Sequence, residues 1–205
     1  MNSISKLLLN SIKKFNQKKI SIHEPDVNKS DVKLLKNCVY SRNVSATGKY
    51  CNNFENEIKR ITKSKFVVLT NSGTSALHIS CLLSGINSAH EVLIPAFTFV
   101  ASPNAVIYCN ASPHFVEIES ENFGIDFEKL RKYLKKISIK KKGKLINKKT
   151  KKIIKAIMIV HPIGYPINYD ELTKFKKEYN LIVIEDAADA LGSYFKGKHA
   201  GTFGK

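Results

Sequence analysis

The chain has 205 residues, 43% of them hydrophobic and 25% charged, enough for one full core: one domain, or one and part of another. No apolar run approaches the roughly 18 to 20 residues that span a bilayer, and the run Leu7 to Leu9 in the basic start MNSISKLLLNSIKKF is too short for a secretory signal. The net charge of +17 invites a nucleic-acid reading, but residues 135–152 (KKISIKKKGKLINKKTKK) hold ten lysines and no acid, and taking those from +17 leaves +7 over the other 187 residues.

That segment carries no aromatic to stack on a base. It reads as a solvated, lysine-rich connection, and neither nucleic acid nor membrane is expected as a partner. Cys38, Cys51, Cys81 and Cys109 contain no Cys-x-x-Cys pair, which argues against a zinc ribbon or a dithiol site and fits a reducing cytoplasm. The six histidines (His23, His78, His90, His114, His161, His199) show no metal-ligand spacing.

In chain order, residues 1–21 predict a short amphipathic helix and its lead-in, with Ile4, Leu7, Leu8, Ile12 and Phe15 near one face. A helix is expected from near Cys51 to residue 62, and a short buried strand over 65–70 (KFVVLT). Helices follow at 74–84 and 102–109, the second entered by Pro103 near its first turn. Between them lies a strand at 91–95, and after them a strand at 115–118 and a helix at 127–134. Beyond the lysine segment come a strand at Ile153–Val160, a helix at Tyr169–Tyr179 with Asp170 and Glu171 in its first turn, and a strand at 181–184 (LIVI). Continuous apolar strands with helices between them predict an α/β fold, a mostly parallel sheet covered on both faces. The last stretch, KGKHAGTFGK, reads as a glycine-rich connection toward a further strand.

In such sheets ligands gather beyond the carboxyl ends of the strands. Asn71-Ser72-Gly73-Thr74-Ser75 follows the expected strand and opens a helix; its glycine and free N–H groups could receive a phosphate, or Ser72 or Thr74 could simply cap the helix. An aromatic of Pro95-Ala96-Phe97-Thr98-Phe99, directly after the strand at 91–95, could lie over a planar heterocycle or pack in the core. Asp186, in Glu185-Asp186-Ala187-Ala188-Asp189-Ala190, could face a protonated ring nitrogen, with small alanines admitting a flat ligand; metal binding and a helix cap are the alternatives.

The order and spacing of NSGTSALH, IPAFTFVASPNAV and VIEDAADALGSYFKGKHAGTFG resemble the DegT/DnrJ/StrS aminotransferases, which aminate keto-sugars attached to nucleotides. The likeness runs from IHEPDV at Ile22 to Lys205. LINKKTKKIIKAIMIVHPIGYPI, with IHEP upstream, further resembles the subgroup that aminates 4-keto-6-deoxy nucleotide-sugars on routes to legionaminic acid or bacillosamine. The resemblance implies the aspartate-aminotransferase type of fold (fold type I): a large α/β/α domain, of which 1–205 is a part, a small C-terminal domain not contained in it, and a dimer.

It also implies the cofactor pyridoxal 5'-phosphate (PLP), with glutamate as an amino donor. Gly73, Thr74 and Ser75 would hold the cofactor phosphate, Phe99 would stack on its ring, and Asp186 would keep the ring nitrogen protonated. Asp189 stands where the family usually has Gln, His or Glu, near the ring's phenolic oxygen.

The family's Schiff-base lysine comes about a dozen residues past GTFG, after a Ser-Phe pair, so Lys205 is not that residue and the 205-residue chain alone is expected to be inactive. Two further strands, which in the family's order sit between the first strand and the rest, are likewise expected beyond it. Relatives with histidine in place of the lysine dehydrate the sugar, and a non-catalytic binding fragment is the other alternative.

Overall fold

The structure is a computed structural model that describes residues 25–204; the expected amphipathic helix near the N-terminus lies outside them. The chain divides into two compact units, 1–50 and 51–205. In the first, helix α1 (Lys29–Tyr40), which the sequence reading passed over, starts at a capping box. The Asn28 side chain accepts from the Ser30 amide, and the Asp31 carboxylate accepts from the Asn28 amide. None of its residues is buried. Helix α2 (Lys49–Thr62) begins in the last two residues of this unit and continues into the second.

The second unit is built on a six-stranded sheet. Strands β1 (His90–Pro95), β2 (Ser112–Val116), β5 (Ile153–Val160) and β6 (Ile182–Asp186) are parallel, in the order β2-β1-β5-β6. Period-2 alternation splits their side chains between two cores. Val92, Ile94, Ala156, Met158 and Ile184 face helices α3 (Gly73–Leu83) and α4 (Ala101–Tyr108), meeting Leu77, Cys81, Ala105 and Val106. Leu93, Ile157, Ile159 and Val183 face α5 (Phe127–Ile137) and α6 (Tyr169–Tyr179), meeting Leu130, Leu134, Leu172 and Phe175. The result is the predicted α/β/α sandwich.

Helix ends follow local chemistry. Asp126 and Asn168 cap α5 and α6 through their side chains, and Asn180 closes α6 in the left-handed region at φ 53°. Elements at Ile153–Val160 and Tyr169–Tyr179 fall where the sequence puts them, and the others shift by a few residues at their ends. The last stretch does not run straight on. It folds back as a small hairpin of β7 (Tyr194–Phe195) and β8 (Lys198–His199).

One expectation fails and a second holds in part. Residues 65–70 form no strand: Phe66 and Val68 are 75% and 81% exposed, and the segment is caught only where Glu55 Oε1 accepts from the Leu69 amide at 3.1 Å. A strand needs a ladder partner, and among the described residues β6 pairs with β5 alone, leaving no strand beside this segment.

The lysine segment is solvated, as expected, but it is more than a connection. Its first residues finish α5, and then β3 (Ser138–Lys141) and β4 (Lys144–Asn147) form a hairpin whose second strand pairs antiparallel with the start of β5. Leu145 is buried in the core, while the lysines of the hairpin itself point outward.

A buried carboxylate fastens the far side of that hairpin. Glu91, 2% exposed, accepts from Asn147 Nδ2 at 3.0 and 3.2 Å, from His114 Nδ1 at 2.8 Å and from the Thr150 hydroxyl. Burial pushes its pKa up, but the hydrogen bonds from His114, Thr150 and Asn147 outweigh it and hold the group below the usual carboxylate range. Lysine count alone could not reveal this anchor, because the anchoring atoms lie on β1, β2, the end of β4 and the turn after it.

Candidate functional site

The carboxyl ends of β1, β5 and β6 share one edge of the sheet, since the three run parallel. Asp186 ends β6 there and is 8% exposed. Its Oδ2 accepts from the Ser102 hydroxyl at 2.7 Å, and its Oδ1 accepts only a long bond, 3.3 Å, from the Ala188 amide. Among the described residues no lysine, arginine or histidine forms an ion pair with it. A nearly buried carboxylate with no cation beside it is costly unless a donor satisfies it, so Oδ1 has capacity for a positively charged N–H.

Ser102 links this carboxylate to the Phe99 segment. It sits in the first turn of α4, fully buried; its amide donates to the Phe99 carbonyl at 3.2 Å, and its hydroxyl lies 2.7 Å from that of Thr98. The sequence reading missed Ser102, although a buried polar residue facing a buried acid is a signal once the two elements are known to touch. Phe99 itself is 75% exposed and, among the described residues, packs against no other ring; the neighbouring Phe97 pairs with Phe123 instead. Core packing is thus not what Phe99 does.

Helix α3 brings the third segment. Just past its far end, the Gly85 carbonyl accepts from Lys155 Nζ at 2.8 Å near the start of β5, so the helix ends toward the amino ends of the parallel strands. Its start therefore lies toward the carboxyl end, where Asp186 is. Ser72 is the cap: its hydroxyl accepts from the Ser75 amide at 3.2 Å. The cap leaves the amides of Gly73 and Thr74 with their usual role of unpaired donors at a helix start. Open space surrounds the first of them, since a Cβ on Gly73 would meet nothing within 4 Å.

Asp189 is exposed, and its carbonyl lies 2.8 Å from where a Cβ of Gly164 would be. It belongs to the turn after β6, and its side chain makes no hydrogen bond to Asp186 or Ser102. Opposite it, Ile163 and Gly164 follow the end of β5 at φ 53° and 78°. A β-branched residue in the left-handed region is strained, and strain of this kind tends to sit at functional edges.

Behind Asp186, Glu185 points to the other face. It accepts from Tyr169 Oη at 2.7 Å, lies 3.3 Å from His161 Nε2, and accepts from the amides of Gly201 at 3.0 Å, Phe203 at 2.6 Å and Gly204. Sequence alone places His161 only among six histidines without metal-ligand spacing. Among the described residues no group of three or more His, Cys, Asp or Glu is arranged to hold a metal.

A helix start with free amides, an exposed aromatic and a buried acid thus lie toward the carboxyl ends of the strands, where ligands of such sheets gather. Known proteins agree in sequence and in fold. GDP-perosamine synthase of Vibrio cholerae is 38% identical over 185 residues, 90% of this chain and 46% of that protein. The enzyme of the same name from Escherichia coli O157:H7 is 34% identical over 187 residues, 91% of this chain and 47% of that protein. The chain therefore spans about half the length of these curated relatives.

Among solved structures, an aminotransferase from Psychrobacter cryohalolentis superposes with a TM-score of 0.75 at 27% identity, over 88% of this chain and 42% of that one. A GDP-4-keto-6-deoxymannose-3-dehydratase with a trapped PLP-glutamate geminal diamine shares the fold, with a TM-score of 0.74 at 22% identity over 91% of this chain and 45% of that one. Residues 25–205 match a single family description across the whole described region, and the chain belongs to the DegT/DnrJ/EryC1/StrS aminotransferase family.

Proposed function

We propose that this chain is the cofactor-binding part of a PLP-dependent aminotransferase that moves an amino group from an amino acid such as glutamate to a keto-sugar carried on a nucleotide. It would act as a homodimer in the cytoplasm, in the synthesis of sugars for surface glycans. Asp186 carries the reading: a nearly buried carboxylate at a strand's carboxyl end, oriented by Ser102 and without a cation of its own. The names of the relatives support the substrate class.

PLP, when bound, supplies a protonated ring that draws electrons from the carbon bearing the amino group. The chain's own residues divide the work of holding it. Asp186 accepts the ring N–H and keeps the proton on that nitrogen, because an adjacent negative charge favours the charged form. The Ser102 hydroxyl fixes which carboxylate oxygen is free to do so. Gly73 and Thr74 offer backbone amides, and Thr74 and Ser75 hydroxyls, to the phosphate. Phe99 covers one face of the ring and keeps water from it. Asp189 lies at the rim near the ring's phenolic oxygen, which its short carboxylate would reach poorly or repel.

Titrating PLP into the purified chain, followed by its absorbance, tests the reading. Saturable binding that Asp186→Ala weakens at least tenfold supports it. Binding that the substitution leaves unchanged would sink the role of Asp186, and with it the proposal. The 205 residues alone are expected to give no turnover with glutamate and a nucleotide keto-sugar, because the resemblance puts the anchoring lysine past the turn at 201–204.

A further inference from the structure

The Glu185 carboxylate has no part in the cofactor site, yet it is the most heavily bonded acid among the described residues. Its side chain is 3% exposed and that of His161 is fully buried. Five donors converge on it: the Tyr169 hydroxyl, His161 Nε2, and the backbone amides of residues 201, 203 and 204. Successive amides wrapped round one anion form a concave cradle, but here the anion is part of the protein.

The turn is shaped for this. Gly201 adopts φ 81°, and a Cβ there would come within 2.9 Å of Ala187 Cβ. A Cβ on Gly204 would lie 3.1 Å from the Val183 carbonyl and 3.3 Å from Glu185 Oε1. Glycine at both places lets the backbone reach β6. Between them Phe203 stacks on Tyr169, with centroids 3.4 Å apart and planes 14° from parallel, and Lys198 Nζ lies 4.0 Å over its ring.

The protons are also determined. Tyr169 has one hydroxyl proton and gives it to Glu185, so the single His161 Nε2 proton is shared between Tyr169 Oη at 3.0 Å and Glu185 at 3.3 Å. His161 Nδ1 is buried without a partner. A proton on Nε2 and none on Nδ1 is the arrangement that leaves no buried N–H without an acceptor.

We propose that Glu185 is a positioning residue: its buried carboxylate, set by Tyr169 and His161, clamps the turn 201–204 against β6 directly behind Asp186. This rests on the function proposed above, since the lysine that the family resemblance puts about a dozen residues further on would take its position from this turn. Glu185 and Asp186 are neighbours on one strand with opposite faces, so one strand end registers both the cofactor's ring and the chain segment that leads toward it.

Hydrogen exchange of the 205-residue chain, measured without cofactor, tests the clamp independently of whether PLP binds. In Glu185→Gln an amide N–H group replaces one acceptor oxygen. The peptide covering 201–204 is expected to exchange at least tenfold faster, with peptides from β1 and β5 unchanged. Tyr169→Phe keeps the ring stack and removes one donor, so it should accelerate the same peptide by less; it carries the test alone if the glutamine variant does not fold.

Groups facing Glu185 are His161, Tyr169 and the three amides, with Lys198 over Phe203 beyond them, and the carboxylate is held ionised against its burial chiefly by His161, Tyr169 and the Gly204 amide. Protection of the turn, corrected for intrinsic rates, should therefore persist in the unsubstituted chain down through the ordinary carboxylate range and vanish only below it. In Glu185→Gln it should be low at every pH. Unchanged exchange at 201–204 in the variants, equal acceleration across the whole unit, or pH-independent protection in the unsubstituted chain would each overturn the proposal.

Discussion

Removing one hydroxyl should test whether the site is held as described. Ser102 is fully buried and donates to Asp186 Oδ2 at 2.7 Å. A hydrogen bond to a charged group contributes about 1.5 to 3 kcal/mol, and a buried acceptor left unpaired retains the desolvation penalty that the bond had offset. Water cannot reach the gap easily, because Ser102 has no exposed surface and Asp186 only 8%. The lost contact to the Thr98 hydroxyl adds little, since that group is only half-buried and can turn to solvent.

Ser102→Ala is therefore expected to lower the unfolding free energy by about 2 to 3 kcal/mol, seen as a fall in Tm of roughly 4 to 12 °C for a chain of this size. Urea unfolding followed by circular dichroism measures the first and a thermal scan the second. A double-mutant cycle with Asp186→Asn isolates the pair: with a neutral acceptor the cost of losing Ser102 should drop to about 1 kcal/mol. A cost within about 0.5 kcal/mol of zero, the scatter of ordinary surface substitutions, or an equal cost in both backgrounds, would refute the account of how Asp186 is oriented.

Glu91 and Glu185 both have pKa values below the usual 4.5, so each contributes stability that is present above that pH and lost as pH falls through the lower folded value. Stability should thus be level from pH 7 to about 5 and fall below that range, while Glu91→Gln is weaker at pH 7 and flatter in acid, as urea midpoints across pH will show. Replacing the strained Ile163 (φ 53°) with Asn, which tolerates the left-handed region, should raise stability by about 1 kcal/mol; a neutral or negative effect in the same assay would mean the turn is not strained. The Cys81 thiol is pushed up to about 12 by burial, with Cys109 beside it, so iodoacetamide at pH 8 should label Cys38 in the native chain and leave Cys81 until it unfolds. Mass spectrometry of the labelled peptides reads this directly, and early labelling of Cys81 would contradict its packing.

What could be read from the sequence was whatever depends on neighbours in the chain. Val92 to Ile94, Ile153–Val160 and residues 181–184 are apolar on both faces, and only a covered parallel sheet buries such strands. The family motifs stood in order along the chain, which brought Gly73, Phe99 and Asp186 into one hypothesis before any contact was known. Ser72 as a helix cap was also legible, because a cap is a bond across three residues.

The rest depended on groups far apart in the chain. Ser102 and Asp186 are separated by 84 residues, and Glu91 and Asn147 by 56, so neither pair leaves a mark in local spacing. The lysine run looked like a plain connection because its charge hid the alternation that buries Leu145, and only pairing with β5 turned it into sheet. Residues 65–70 have a strand's composition but no ladder partner among the described residues, and composition cannot supply one. Sequence by itself determined which segments could be strand, helix or turn, since propensity and periodicity act over a few residues. Tertiary structure alone decided which polar groups share a buried space, because a hydrogen bond or an ion's desolvation is settled by distance in space and not along the chain.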